Sequence, residues 1–530
     1  MRKYISLLAI ALCFSAMQGQ EVSDAYRYAQ DNPNGTARFR AMGGAFGAVG
    51  GDLSAINVNP AGSVVFANNQ IAFSGNSFNI RNKSNYYGKQ TTAKNNSLDL
   101  NQAGAILVFE NNHENKNWKK FSVAINYENA NSFNNSLFSA GTNNNNSIDK
   151  YFLFYANNGN NGNPIPQQFV TRLADETIGS LYNYLGSSLP NSDYPKLDGF
   201  AAQQAMLAFY KQTYIIDVVD LNNPNSPYFS NVTSGGNYYQ TNTNETTGYN
   251  GKLTFNAATQ YKNILMLGIN LNTHFIDYKR SNKLTETNNN NTSAVNYLVN
   301  KISFNNDFYT YGSGFSMQLG AIVKPTKELR LGLAYQSPTW YRLSDELTQS
   351  LAAVSGNTTG NFPEDLADPN VTVVFPAYKL QTPSKLTGSF AYVFAKRGLL
   401  SFDYSMKNYG NLKFSPKNEV LFVSLNNDIS SSAKETTAEY SIGGEYKIKQ
   451  FSLRGGYHFE ESPYKNGTTI GDLTSYSGGV GYNFGNTKLD LAYSTSKRDS
   501  DHQFFSQGLT DAARINTAKN NVTLTLAFEL

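Results

Sequence analysis

Cysteine is almost absent: Cys13 is the only one in 530 residues. It lies in an apolar run, Ile5 to Ala16, behind the basic start Met1-Arg2-Lys3. Leu12 precedes it, where lipid attachment would need small residues, so no lipoprotein is expected. The run is shorter than the roughly 20 apolar residues needed to cross a bilayer. Followed by small and polar residues, with Gly19 as the last before cleavage, it reads as a secretory signal peptide over 1–19. The mature chain then has no thiol, which excludes a disulfide framework and thiol chemistry. Charge is also scarce, at 15% of residues, and the net +4 falls to about +2 once Arg2 and Lys3 leave with the signal. No nucleic-acid footprint is implied. The four histidines, His113, His274, His458 and His502, are scattered and make no metal pattern. Gly43-Gly44 and Gly50-Gly51 do not follow a strand, which speaks against a phosphate loop. No Ser/His/Asp arrangement can be argued, so neither an enzyme nor a cofactor is expected. No linker rich in Pro, Gly or Ser divides the chain.

What is present is aromatic residues, at 13%, and alternation. From Ile71 onward the apolar period is two. Phe121, Val123, Ile125 and Tyr127 alternate with Ser122, Ala124, Asn126 and Glu128; Leu265, Leu267, Ile269 and Leu271 alternate with Met266, Gly268, Asn270 and Asn272. The last strand is the cleanest, with Val522, Leu524, Leu526, Phe528 and Leu530 on one side and Asn521, Thr523, Thr525, Ala527 and Glu529 on the other. Alternation alone also fits a soluble sandwich. Three features decide against one. The strands run well beyond the about 5–6 residues usual in globular sheets. Aromatics recur at strand ends, as at Tyr261, Tyr335, Trp340-Tyr341, Phe394, Tyr446 and Phe484. Tight turns alternate with long Asn-, Ser- and Thr-rich connections, the mark of an outer-membrane barrel. The mean hydropathy of −0.44 argues against a helical membrane protein but not against a barrel, in which half of each strand faces water. The expectation is all-β: a 14-stranded antiparallel transmembrane β-barrel over residues 67–530, with both ends of the barrel chain on the periplasmic side.

Two segments stand outside this pattern. Residues 20–66 carry Gly43, Gly44, Phe46 and the turn Asn59-Pro60-Ala61 but no large apolar face, so they are expected to pack inside the barrel as a plug, or hatch. Pro60 fixes φ and removes a donor, and the glycines permit tight turns. Arg38 and Arg40 are candidate anchors toward Glu439, Glu445 or Asp490; a solvated position is the alternative. Residues 139–236 form an insertion on the outer side, with helical patterning over 165–185 and 199–214. It reads either as a solubilising cap or as a lid over the barrel mouth.

Arg40-Ala41-Met42-Gly43-Gly44-Ala45-Phe46 and Asn59-Pro60-Ala61-Gly62, then Leu319-Gly320-Ala321, Lys324-Pro325-Thr326, Leu331 to Tyr341, Tyr378 to Leu386 and Asp403-Tyr404, occur in this order. In these the chain resembles the FadL/TodX-type (OmpP1/FadL) outer-membrane transporters of hydrophobic compounds, in the long form of Bacteroidetes. The resemblance covers most of the mature chain and is weak over 139–236. It implies a 14-strand barrel with a lumenal hatch, a pocket above it, and passive uptake of long-chain fatty acids or other apolar molecules. It also implies a third strand kinked inward, with a gap in the wall for sideways release. The third strand breaks alternation at Asn129-Ala130-Asn131-Ser132, and polar residues at membrane depth need a cavity to face, so the gap is expected there.

The expected ligand contacts are Phe46 and Ile56 on the hatch and Arg454 on an inward position, for which a salt bridge to a neighbouring strand is the alternative. The expected partners are a hydrophobic small molecule and outer-membrane lipid, with the protein a monomer in the Gram-negative outer membrane. Two other functions remain open: an accessory or structural partner of a secretion or assembly system, and a general porin. The 20–66 segment counts against an open porin.

Overall fold

A period of two puts successive side chains on opposite faces of a strand, and the chain forms fourteen such strands. They are β1 (Gln70–Tyr86), β2 (Lys89–Glu110), β3 in two legs (Trp118–Ser132 and Asn135–Asn143), β4 (Tyr238–Tyr261), β5 (Leu265–Thr287) and β6 (Leu298–Val323). Then come β7 in two legs (Leu329–Gln336 and Trp340–Asn357), β8 in two legs (Tyr378–Gln381 and Lys385–Phe394), β9 (Gly398–Lys407), β10 (Thr437–Ile448), β11 (Phe451–Glu460), β12 (Ile470–Asn483), β13 (Thr487–Gln503) and β14 (Ala512–Glu529). This computed structural model describes residues 20–530 except 32–33, 112–116, 190, 291–292, 295, 395–396 and 418. The expected signal peptide and His113 lie outside the described residues.

Each strand pairs antiparallel with the next, and β14 pairs with β1, Gln70 standing opposite Glu529 and Asn85 opposite Arg514. The sheet is therefore closed. Its faces are inverted relative to a water-soluble sheet. On β14, Val522, Leu524 and Leu526 point outward and are exposed, while Asn521, Thr523 and Thr525 are buried in the lumen. On β9, Leu400 and Phe402 are outside, and Ser401 and Asp403 inside. An apolar exterior around a polar interior is stable only in lipid. At the short-turn end, Trp118 meets Tyr261 edge-on with ring centroids 5.2 Å apart, and Tyr482 meets Phe484 at 4.5 Å. Amphipathic rings favour that depth of a bilayer.

Residues 20–66 run inside the barrel as two helices, α1 (Val22–Ala29) and α2 (Ala37–Ala41), followed by 3-10 turns at Ser54–Asn57 and Pro60–Val65. The long-loop end carries α3 (Asp149–Asn158), α4 (Gln167–Val170), α5 (Ile178–Ser188) and α6 (Gly199–Ala208) between β3 and β4, and α7 (Val420–Ser432) between β9 and β10. Residues 165–185 are thus two helices rather than one. Thr177 starts the second by accepting from Ser180 N, an N-cap that ends the preceding extended stretch. The second stretch stops at Ala208, short of Tyr214. The sequence pattern did not reveal α7, whose Leu421, Phe422, Leu425 and Ile429 join one large core with the insertion helices and α1.

Candidate functional site

Gly43 and Gly44 have φ of +61° and +80°, a region that glycine enters without the penalty of a Cβ. They turn the chain from α2 toward Phe46, which is fully buried against Phe39 at 5.4 Å between centroids. Asn59 opens the last turn by accepting from Ala61 N at 3.1 Å, and its amide nitrogen donates to Gly47 O (2.7 Å) and to Ala321 O on β6 (3.0 Å). Pro60 fills the first position of that turn, where an N–H would find no partner. Its carbonyl accepts from Asn256 of β4 at 3.0 Å.

The wall holds this segment from nearly every side. Asp403 of β9 accepts from Phe46 N and Gly47 N, each at 2.9 Å. Arg38 reaches Glu445 of β10 with Nε at 2.8 Å and Nη2 at 3.2 Å. Asn270 donates to Ile56 O, Gln318 to Asn57 O, and Ala37 N to Thr525 Oγ1. Between these bonds the wall is made of inward-facing glycines. A Cβ at Gly443 or Gly456 would collide with Met42, at Gly332 with Gly47, and at Gly268 or Gly320 with Asn59 or Pro60. Backbone packs directly on backbone there, closer than any side chain allows.

Among the described residues the wall has one seam. β2 and β3 pair from Glu110 opposite Lys120 up to Gln102 opposite Glu128, and no further pairing joins them among the described residues. A register shift follows at Asn129/Asn131 in the pairing of β3 with β4. The second leg of β3 then pairs only with β4 and crosses into the lumen. There Asn82 of β1 donates to Asn135 Oδ1 (2.6 Å), and Ser84 meets Ser139 at 2.7 Å. The plug reaches this seam at Asn34-Gly35. Asn34 Nδ2 donates to Asn129 O at 2.8 Å, and Asn101 of β2 donates to Gly35 O. Arg40 holds Asn34 in place by donating to its Oδ1 at 2.7 Å.

Above the plug is a cavity of about 1480 Å³. α1 lies along its floor, with Tyr26 stacked on Tyr464 at 4.1 Å and Tyr28 edge-on to Phe133 at 5.9 Å. Tyr151, Phe154, Phe200, Leu421, Phe504 and Phe505 form an apolar wall, and residues 131–135 border it at the seam. Its charges are largely paired: Arg498 with Glu460 at 2.7 Å, Arg280 with Glu21 at 3.6 Å, and Arg27 with Asp24. At plug level Asp31 lies 2.8 Å from Lys407 and 3.3 Å from Lys385. Burial opposes its ionisation, but the two lysines outweigh that and hold its carboxyl well below the usual range. Glu439 takes Lys385 at 2.7 Å.

Gly43, Gly44, Phe46, Asn59, Pro60 and Ala61 are gathered in the buried body of the plug. Arg38 holds a carboxylate, whereas Arg40 holds only neutral groups, adding Ser494 Oγ at 3.1 Å. Asn131 and Ser132 face the upper cavity; Ala130 faces a smaller space beside the plug, and Asn129 offers its carbonyl to Asn34. The three residues expected to touch ligand lie elsewhere. Phe46 and Ile56 are fully enclosed in the plug. Arg454 sits at its short-turn side, taken up by Glu445 (2.7 Å) and Asp490 (2.5 Å). Facing inward is not the same as facing the cavity, because the plug fills the lower lumen. The sequence reading missed Asn34-Gly35, Asn101 and the inward glycines. Only the last had a local signal: Gly268 and Gly332 stand at lumenal positions of clean period-two strands.

The family model described as outer membrane protein transport protein (OmpP1/FadL/TodX) matches residues 235–528. Among solved structures, a Pseudomonas aeruginosa FadL homologue aligns at 12% identity over 94% of this chain and 99% of its own, with a TM-score of 0.52. The P. putida toluene transporter TodX aligns at 14% identity over 94% and 99%, with a TM-score of 0.48. At such identity the likeness concerns the fold alone. No curated protein matches the sequence.

Proposed function

The chain belongs to the OmpP1/FadL/TodX family of outer membrane transport proteins, and from that premise we propose that it takes up long-chain fatty acids or similar apolar molecules and releases them sideways into the membrane. The barrel sits in the Gram-negative outer membrane. The observation that carries the reading is the placement of the upper cavity, with its aromatic wall, directly beside the seam and above a plug sewn to the wall.

The cavity is of mixed lining: its aromatic and aliphatic wall can hold an apolar chain, and the many polar and charged groups around it can meet a polar end, without any chemistry. Water is a poor solvent for such a ligand, so burying its apolar surface drives it from the outside into the cavity. Straight passage downward would require breaking the hydrogen bonds that hold the plug. The sideways route asks less. Where β2 and β3 are unpaired, no backbone ladder closes the wall among the described residues, and the Asn34-Gly35 contacts with the Thr91 hydroxyl on Phe138 O bridge it instead. A ligand that leaves there passes from the cavity into the bilayer without going through the plug or the periplasm.

The test is uptake of a labelled long-chain fatty acid and of a labelled aromatic hydrocarbon by proteoliposomes, with protein-free vesicles as reference. The intact protein should speed entry of one or both, and should not pass small sugars. Sugar flux equal in the intact protein and in one lacking residues 20–66 would favour a porin. No uptake of any apolar probe would sink the transport reading and leave an accessory role in secretion or assembly.

A further inference from the structure

Four cations stand together on the outward face of the barrel, near its long-loop end. Lys94 of β2 lies opposite Arg81 of β1, Arg81 opposite Ala518 of β14, and Ala518 opposite Lys497 of β13. Lys83 follows two residues further out on the same face of β1. All four are exposed. Side chains directly opposite on an antiparallel pair have Cβ atoms about 4.5–5.5 Å apart, and like charges there are destabilising. None of the four makes a side-chain hydrogen bond or ion pair among the described residues. The acids nearby are engaged elsewhere. Arg514, further out on β14, holds Asp501 at 2.9 Å and Asp499 at 3.3 Å, and Asp472 of β12 accepts from Ser462 N at 2.7 Å. The far wall differs: there the row of outward Lys279 runs through Tyr309 to Glu346, so an acid answers the cation. Below the four cations the outward face turns apolar. Asn96, Asn79 and Asn520 form the next row, and under them come exposed Leu98, Val522 and Tyr493, then Leu100, Leu524 and Leu491. Leu98, at 82%, is the most exposed large apolar side chain among the described residues. From Lys94 to Leu98 is about 13 Å along the strand, or roughly 10 Å of height at the tilt of such strands. That sets the cations at the level of lipid headgroups, with the leucines in the hydrocarbon beneath.

We propose that this outer face of β13, β14, β1 and β2 binds a phosphate-bearing lipid of the outer leaflet. Its phosphates lie among Arg81, Lys83, Lys94 and Lys497, and its acyl chains run down over Leu98, Leu100, Val522 and Leu524. Charge complementarity carries the assignment. The small side chain of Ala518 leaves a notch between Arg81 and Lys497, two strand spacings or roughly 9–10 Å wide. A phosphate seated there takes charge-assisted hydrogen bonds from both sides, and Arg81 presents a planar fork that matches its oxygens. The same anion removes the repulsion between Arg81 and Lys94. The apolar rows select a lipid over a free anion, because they bury chains that a free anion lacks. They also select it over a protein, which would have to enter the bilayer to cover them. The site is on the outside of the wall, so it holds whatever molecule the lumen carries.

The test uses the full-length protein, stripped of lipid in a non-ionic detergent. Native mass spectrometry titrates it with bisphosphorylated lipid A, with the same lipid after removal of both phosphates, and with inorganic phosphate. Lipid A should bind about tenfold or more tightly than its dephosphorylated form, as expected for hydrogen bonds between charged groups. Arg81→Gln combined with Lys94→Gln should erase about that factor and leave the dephosphorylated lipid unaffected. Lys279→Gln combined with Lys283→Gln, which removes two outward cations from the far wall, should keep the preference. Heat-modifiable migration in gels shows that each variant is a folded barrel. Equal binding of the two lipids, or a preference that survives Arg81→Gln with Lys94→Gln, overturns the proposal. Inorganic phosphate bound as tightly as lipid A also overturns it, since the apolar rows would then contribute nothing. Each of these outcomes leaves the transport reading to the uptake assay.

Discussion

Single residues decide how tightly the plug sits, and the glycines matter most. At Gly456 the plug backbone at Met42 and Gly43 lies where a Cβ would be. Gly456→Leu should leave the strand pairing intact, because the ladder to Gly443 and Ser477 runs through backbone, but it displaces the Ser477 hydroxyl, which donates to Ala41 O, and should unseat the plug. Liposome swelling with a small sugar should then rise from near the protein-free rate, and an unchanged rate would show that the plug adapts. Arg38 offers a milder test. Arg38→Ala removes a two-point hold on Glu445, and hydrogen bonds between charged groups contribute about 1.5–3 kcal/mol. Glu445 keeps Arg454, so the loss should stay local. Amide exchange over residues 39–51 should quicken about tenfold or more, with the barrel strands unchanged.

At the scale of elements, the seam and the outer helices behave differently. Asn34→Ala removes the bond to Asn129 and frees Arg40. Release into the membrane should become faster while ligand capture from outside is unaffected, so single-turnover efflux from preloaded protein is the measurement; slower efflux would assign Asn34 another role. Among the outer elements, α6 is buried along its whole length, and Asp198 caps it by accepting from Ala201 N. Burial lifts the Asp198 carboxyl to about 6, against the pull of the Ala201 and Phe200 N–H groups. The folded cap thus binds the proton more tightly than the unfolded chain, whose Asp titrates near about 4. Stability of the helical cap should fall as pH rises from about 4 to about 6 and stay level above. Amide exchange of α6 across that range reads it, and Asp198→Asn should flatten the profile.

At the scale of the molecule, closure and plugging are separable. β14 meets β1 through residues outside the 20–66 segment, so deletion of 20–66 should still give a closed barrel. Its lumen would be open, and single-channel recordings should turn from silence to steady large steps. A deletion that fails to fold would instead make the plug part of the folding core, a view its many hydrogen bonds to the wall also permit.

The sequence by itself determined the strands and their inner and outer faces. Both are local properties: a period of two is written in neighbouring residues, and lipid outside selects which half is apolar. On that ground the fourteen strands were legible, down to Val522, Leu524 and Leu526 outside and Thr523 and Thr525 inside. α7 was not, because its apolar residues only make sense against the core they join. Tertiary structure alone decided height in the lumen. Arg40 lies hundreds of residues before Ser494 and Lys519, and what brings it beside them is the plug's seat in the lumen, at a height that strand stagger and pairing register set rather than any one strand. The same holds for Asn34 at the seam, and for Phe46, Ile56 and Arg454, which face inward at a level the plug already fills.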